Sequence, residues 1–297
     1  MERSPRSVGT LRIAIDAMGG DAAPREIVRG ALEAMAKDPS LQIILVGDES
    51  RVRKEMEGHP AAAAVKVVHA SEVIEPKEHP VESLRRKPGA SILKAVHLVR
   101  DGFADAAISA GHTGAAVAAG QLSLRLIPGV QKPGIPIPVP TLKGRCTLID
   151  VGANIYARPT HLYQYALMAT IYCACLYGIE RPTVGLLSIG EEQEKGNELV
   201  HGTFPLLSKS DIRFLGNVEG RDLFTGKVDI VVCDGFVGNI VLKVIEGYGE
   251  SLYGSLQGAL QASSGNGNHP NLAPIECLLR DLASRWDYEE VGGAPLL

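Results

Sequence analysis

The chain has 297 residues, 45 % of them hydrophobic and 22 % charged, with a formal net charge of −4. That length and apolar content suffice for one large α/β domain and exclude a disordered chain. No clustered run of Lys and Arg marks a nucleic-acid surface. The five cysteines, Cys146, Cys173, Cys175, Cys233 and Cys277, are odd in number and irregular in spacing. They read as buried structural thiols and not as a disulfide framework. The first residues lack the apolar stretch of a signal peptide, and no run of about 18 apolar residues would span a membrane. A cytoplasmic location is the expectation.

Along the chain one rhythm recurs: an apolar run, a Gly/Asp/Asn turn, then a helical pattern. Residues 11–17 (LRIAIDA) meet MGGD and then PREIVRGALEAMAK, where Pro24 suits a helix start and Ile27, Ala31, Ala34 and Met35 share a face. LQIILVGDES and VKVVHASEVI follow, and ADAAISAGHTG leads into AAVAAGQLSLRL. Residues 127–144 break the rhythm. Their five prolines exclude a helix and predict an extended crossover or edge segment. TLIDVGAN, TVGLLSIGEEQEKGNE, IRFLGNVEG and VDIVVCDGFVGN then restore the pattern. The last enters GYGESLYGSLQGALQ, a weakly amphipathic helix, and ASSGNGNHPN reads as a polar loop.

Apolar strands alternating with amphipathic helices predict a three-layer α/β fold, Rossmann-like, with a mostly parallel sheet and helices on both faces. Ligands of such sheets bind beyond the strands' carboxyl ends. The turns there contain Gly19-Gly20-Asp21, Gly111–Gly114, Gly152-Ala153-Asn154, Gly190-Glu191-Glu192, Gly216-Asn217 and residues 234–239. Glycine lets the backbone approach a ligand, and N–H groups at helix starts favour an anion; short βα turns also need Gly and Asn simply to turn. No dinucleotide fingerprint, P-loop, nucleophile elbow or zinc-binding His pair is present, and Ser109 lacks the spacing and the base of a nucleophile. No cofactor or metal is expected.

Taken in order, these turns resemble one family, the bacterial phosphate acyltransferases of phospholipid synthesis. The stretches that carry the resemblance begin with residues 15–21 (IDAMGGD), 45–49 (LVGDE), 70–74 (ASEVI), 84–91 (LRRKPGAS) and 105–114 (DAAISAGHTG). They continue through 140–144 (PTLKG), 150–154 (DVGAN), 190–198 (GEEQEKGNE), 215–221 (LGNVEGR), 233–239 (CDGFVGN) and 292–297 (GGAPLL). The resemblance implies a fold similar to phosphotransacetylases and isopropylmalate dehydrogenase. It implies conversion of long-chain acyl-acyl carrier protein and inorganic phosphate to acyl phosphate and free carrier protein. It further implies a homodimer that touches the membrane peripherally, near a membrane glycerol-3-phosphate acyltransferase. Residues 1–297 then form a single catalytic domain with a helical excursion for dimerisation and membrane contact at about residues 245–288. Relative to the family pattern, a further strand and helix would follow Leu297.

Two functional alternatives stand beside that reading: an acyl-CoA-using phosphotransacetylase-like enzyme, and an inactive relative acting as a binding protein. For a thioester attacked by phosphate, no covalent nucleophile is needed. The chemistry asks for a held dianion, donors for the oxyanion and a leaving thiol. Gly111, His112, Thr113, Gly114, Gly152 and Asn154 are the candidates for binding phosphate or the oxyanion. Asp234 and Asn239 would orient phosphate or manage protons, and Lys195 and Asn197 would supply a cation and an amide. Asp16, Gly19, Gly20 and Asp21 form a substrate loop in which Asp16 and Asp21 also read as structural, Asp21 as an N-cap. Asp150 reads as a cap of its own loop. Glu191, Glu192 and Glu194 would fix Lys195 or start a helix. Arg85, Arg86 and Lys87 form a basic cluster that would meet the acidic carrier, or simply a solvated face. His112 stands where the family usually has Asn. Its imidazolium would help to hold phosphate, or the change is harmless on a turn whose working groups are backbone N–H.

Overall fold

A computed structural model describes residues 10–264 and 293–297. The chain folds into two compact units, Met1–Pro128 with Leu297, and Gly129–Leu296.

The first unit carries a four-stranded parallel sheet in the order β3-β2-β1-β4. Its strands are β1 (Leu11–Asp16), β2 (Leu41–Gly47), β3 (Lys66–His69) and β4 (Ala106–Ser109). β1 is flanked in register by β2, Leu11 opposite Leu41, and by β4, Ile13 opposite Ala106. The helices are α1 (Arg25–Lys37), α2 (Glu49–Met56), α3 (Pro80–Arg86), α4 (Ser91–Arg100) and α5 (Thr113–Leu124). Alternate strand side chains face opposite ways. Ile15, Ile43 and Leu45 therefore pack with α1 and α2, whereas Ala14, Ile44 and Val46 pack with Ala95 and Leu98 of α4. Arg12 and Asp105 lock the starts of β1 and β4, with Nη2 2.8 Å from Oδ1 and Nε 3.0 Å from Oδ2.

The second unit carries a five-stranded sheet in the order β5-β6-β9-β7-β8. These strands are β5 (Pro136–Thr141), β6 (Gly144–Ile149), β7 (Thr183–Leu187), β8 (Arg213–Val218) and β9 (Ile230–Val232). Only the β5–β6 pair is antiparallel. The proline-rich segment is thus an edge strand. Pro136, Pro138 and Pro140 stand opposite Ile149, Thr147 and Arg145 at every second position of the pair, and an edge strand tolerates residues that lack an N–H. Among the described residues its α-helices are α6 (Pro159–Tyr177), α7 (Glu198–Ser208) and α8 (Gly235–Ser264). Ile149, Leu162, Tyr165, Leu186, Leu207 and Ile230 form its core. The strands are mostly parallel, as the sequence predicts, and are distributed over two sheets.

Local readings need three corrections. The buried face of α1 centres on Val28, Ala31 and Leu32, with Ile27 and Met35 half-buried at its margin. Asp21 does not cap α1. The cap residue is Pro24, because the turn over residues 21–24 intervenes before the helix begins. Cys146, Cys173 and Cys233 are buried but Cys175 is exposed, two residues round the helix from Cys173. Cys277, the loop ASSGNGNHPN from residue 265 on and the rest of the excursion to residue 288 lie outside the described residues.

Burial fixes the expected cost of mutation. Leu45, wholly buried between β2 and its helices, should lose about 2–5 kcal/mol on truncation to alanine. Leu142, 89 % exposed on the β5–β6 turn, should stay within about 0.5 kcal/mol of wild type. Urea midpoints of the two variants check the contrast.

Candidate active site

In the first unit the ends of β1 and β4 are tied by side chains. Asp16, only 4 % exposed, accepts the Ser109 hydroxyl on Oδ2 at 2.7 Å and the Met18 N–H on Oδ1 at 3.2 Å. Ser109 Oγ in turn accepts the Gly111 N–H at 3.2 Å. The two turns touch at their glycines. A methyl group on Gly19 would lie 2.8 Å from Asp16 Oδ2, Ser109 Oγ and Gly111 N alike. Gly20 turns away with φ 107°, a conformation that suits glycine. Ser109 is therefore a brace between two loops. Asp21 is exposed and does not join this cluster.

His112 is the N-cap of α5. Its Nδ1 accepts the Gly114 N–H at 3.1 Å. An accepting Nδ1 carries no proton, so any donor the ring presents is Nε2–H. This geometry uses His112 as an Asn would be used at that position. Thr113, exposed at the first helical position, keeps both its N–H and its hydroxyl without a protein partner among the described residues. The start of α5 thus offers unpaired donors at the positive end of a helix.

In the second unit one buried carboxylate organises two turns. Asp150, 0 % exposed, accepts four backbone N–H groups. Those of Ile135, Gly152 and Ala153 reach Oδ1 at 3.0, 3.2 and 2.9 Å. That of Asn154 reaches Oδ2 at 2.9 Å. Burial pushes the Asp150 carboxyl up and the four N–H groups pull it down, with burial prevailing. The turn following β9 packs on this one so closely that Gly235 and Gly238 have no room for a side chain. A methyl on Gly235 would lie 2.8 Å from Asp150 Oδ2, and one on Gly238 would collide with the Asp150 carbonyl. Asp150, Gly152, Asn154, Asp234 and Asn239 are thereby brought together. Asn154 Nδ2 donates to Pro133 O and to Tyr165 Oη, while Asn154 O accepts the Gly235 N–H at 2.9 Å. Asn239 Nδ2 donates to Val151 O at 3.2 Å. Asp234 Oδ1 accepts the N–H groups of Phe236 and Val237 at 2.9 and 3.1 Å. Its other oxygen has no protein partner among the described residues.

The β7–α7 loop is a separate arrangement. Asn197 is the N-cap of α7, its Oδ1 accepting the Val200 N–H at 3.0 Å. Lys195 is exposed, and its Nζ makes no ion pair among the described residues. The acidic neighbours do not fix it: Glu191 pairs with Lys227 at 2.7 Å, and α7 starts only at Glu198. Asn217 braces this loop by donating to the carbonyls of Glu192 and Lys195 at 2.8 and 3.3 Å. The basic cluster is dispersed as well. Lys87 turns inward to Glu78 at 2.6 Å and to the Val73 carbonyl, and Arg86 lies 3.5 Å from Glu82 on the same helix. Arg85 has no such partner among the described residues.

Tyr165 shapes the site and gave no sequence signal of its own, since it lies in an apolar helix, whereas Gly238 lay within the turn 234–239 but was not singled out from it. Among the described residues no group of three or more His, Cys, Asp or Glu is placed to hold a metal ion.

A family model described as a fatty acid synthesis protein matches residues 11–297. A phosphate acyltransferase of Pelotomaculum thermopropionicum is 50 % identical over 292 residues, 97 % of this chain and 83 % of the relative. One from Desulforamulus reducens is 46 % identical over 290 residues, 97 % of this chain and 85 % of the relative. The chain belongs to the phosphate acyltransferase family. Its members transfer an acyl group to phosphate. Among solved structures, a Streptococcus pyogenes phosphotransacetylase aligns with TM-score 0.60 at 18 % identity, covering 81 % of this chain and 82 % of that one. A branched-chain phosphotransacylase of Enterococcus faecalis aligns with TM-score 0.53 at 19 % identity, covering 80 % and 84 %. At that identity the shared property is the fold.

Capping and bracing give measurable expectations for these turns. His112→Asn retains an N-cap acceptor and should stay within about 0.5 kcal/mol of wild type, whereas His112→Ala should lose about 1 kcal/mol. Asp150→Ala strands four N–H groups and should cost about 3 kcal/mol or more. Chemical denaturation of the three variants orders them.

Proposed function

We propose that the chain transfers a long-chain acyl group from acyl carrier protein to inorganic phosphate, releasing acyl phosphate and free carrier. The family supports acyl transfer to phosphate, and the family model's description places it in lipid synthesis. The observation that carries the reading further is the start of α5. There the Asp16–Ser109–Gly111 brace holds the turn, and Thr113 N–H and hydroxyl stay unpaired.

In this reading a phosphate oxygen attacks the thioester carbonyl, the C–O bond forms, and a tetrahedral oxyanion collapses with loss of the C–S bond. Hydrogen phosphate gives up its proton overall, and the departing thiolate, of ordinary pKa ~8.5, takes it. Thr113 N–H and hydroxyl with His112 Nε2–H bind phosphate or the oxyanion through preorganised dipoles, while Gly111 and Gly114, whose N–H groups go to Ser109 Oγ and His112 Nδ1, let the turn approach the ligand closely. Gly152 and Asn154 keep the second turn open to the backbone. Asp234, with one oxygen held by its own helix and the other unpartnered, moves the proton. Asn239 orients it through the bond to Val151 O, and Lys195 with Asn197 supplies a cation and an amide. Asp16 and Gly19 position Ser109 and Gly111, and Gly20 and Asp21 line the substrate loop.

The product, a mixed anhydride, is to be consumed by a membrane acyltransferase acting on glycerol 3-phosphate, leading to phospholipid. A cytoplasmic homodimer touching the membrane surface suits that hand-over. Val244, Tyr248, Leu252 and Leu256 of α8 form an exposed stripe at four-residue spacing, which supports an apolar contact for that helix. No helix among the described residues is long and apolar enough to cross a membrane.

Phosphate-dependent release of free carrier thiol from a long-chain acyl-carrier, with acyl-CoA in parallel, tests the donor. Release that prefers the carrier is expected; preference for acyl-CoA would overturn the carrier reading, and a folded protein that releases nothing would overturn catalysis. Asp234→Asn keeps the helix cap and removes the charge. It should lower kcat by about 10²-fold with unchanged thermal stability.

A further inference from the structure

A hollow of about 580 Å³ opens on the first unit where α3, α4 and the end of α5 meet. Leu84 and Leu93 form its buried floor, and Leu122 and Leu124 its exposed wall. Three guanidinium groups line it: Arg85 from α3, Arg100 from α4 and Arg125 just beyond α5. Arg100 is held by Asp101, with Nε 2.7 Å from Oδ1. Arg85 and Arg125 form no ion pair among the described residues. His97 also lines the hollow, and burial together with Arg100 holds its imidazole below the ordinary value. The local charge is thus positive in a chain whose formal net charge is −4.

Arg125 reaches this place at a conformational cost. Its φ of 69° and ψ of 170° fall in a region occupied almost only by glycine. Strain of that kind persists where the surroundings demand it, and here it sets an unpaired guanidinium on the rim of an apolar hollow.

We propose that this hollow is the docking surface for an acidic, amphipathic helix of the protein that carries the acyl group. The proposal rests on the reading of a carrier protein as donor. The chemistry matches on two counts. Carboxylates on one face of such a helix meet Arg85 and Arg125, and its apolar side chains enter between the leucines. In a chain of formal net charge −4, a local basic rim steers and selects an acidic partner. α5 has 12 residues, so the hollow at its end lies about 18 Å from the Gly111–Gly114 turn at its start. The basic contact is therefore Arg85 with Arg125, and not the run Arg85-Arg86-Lys87.

The double variant Arg85→Glu/Arg125→Glu tests this in the full chain, with steady-state kinetics on a long-chain acyl-carrier at several NaCl concentrations. KM for the acyl-carrier should rise on the order of tenfold or more, and kcat and melting temperature should stay unchanged. The salt dependence of kcat/KM should flatten. Lys54→Glu, on the exposed side of α2, controls for net charge and should leave KM unaltered. A second variant, Arg125→Gly, relieves the backbone and should melt higher while still raising KM. If the wild type uses the acyl-carrier but both variants keep its KM, the docking surface is overturned and the donor reading stands. If the wild type accepts acyl-CoA and ignores the acyl-carrier, the donor reading falls and takes this proposal with it.

Discussion

The arrangement depends on carboxylates placed at the ends of parallel strands, each gathering the donors of its own turn. Parallel strands send their chains out at the same edge, so neighbouring turns must pass close together without side chains between them. Asp16 and Asp150 solve this in the same way in the two units. Asp16 binds a hydroxyl and one N–H, and Asp150 binds four N–H groups. Buried charge of this sort is tolerated only when its lone pairs are filled. At Asp150 desolvation outweighs even four hydrogen bonds, so losing any of them worsens an already costly burial. The glycines follow from the carboxylates. Gly19 and Gly235 would each place a Cβ 2.8 Å from a carboxylate oxygen.

A second regularity concerns the polar residues assigned to chemistry. His112, Asn197 and Asp234 each stand at the start of a helix, and each spends one atom on its own helix's N–H groups. The other polar atom, Nε2, Nδ2 or Oδ2 respectively, stays outside. Capping therefore fixes the side-chain rotamer before any ligand arrives, which is the preorganisation that electrostatic stabilisation requires. By the same geometry His112 holds its turn as an Asn would. Both offer an acceptor inward and a donor outward.

Periodicity and turn residues made most of this legible. Continuous apolar runs predicted buried parallel strands, and the five prolines of residues 127–144 predicted an extended crossover or edge segment, of which the structure makes the edge strand β5. The glycine turns were legible one by one, but not which of them meet in space. Phase was less legible. On a helix one residue is about 100°, so reading Ile27 for Val28 rotates the buried face of α1. Pairings across long separations left no trace at all. Glu191 finds Lys227 and not its near neighbour Lys195, and Lys87 turns to Glu78 and away from Arg85 and Arg86. Such choices are made by where the loops lie in space. Asp21 failed as a cap for a nearer reason, since a cap must adjoin its helix and the turn ending at Pro24 intervenes.

Arg125 stands apart from these regularities. Every other residue with positive φ among those described is a glycine: Gly20, Gly58, Gly102, Gly129, Gly144, Gly152, Gly178, Gly196, Gly216 and Gly226. Among the described residues glycine thus stands wherever the backbone asks for it, with one exception. A non-glycine residue in that region costs on the order of 1–3 kcal/mol, a substantial fraction of the roughly 5–15 kcal/mol that keeps a domain folded. Glycine would remove that cost at once, and α5 would still end where it does. What glycine cannot supply is the guanidinium. The exception therefore separates a requirement of the fold from a requirement of the side chain, and it does so at the rim of the apolar hollow, the whole length of α5 away from the turn that opens it.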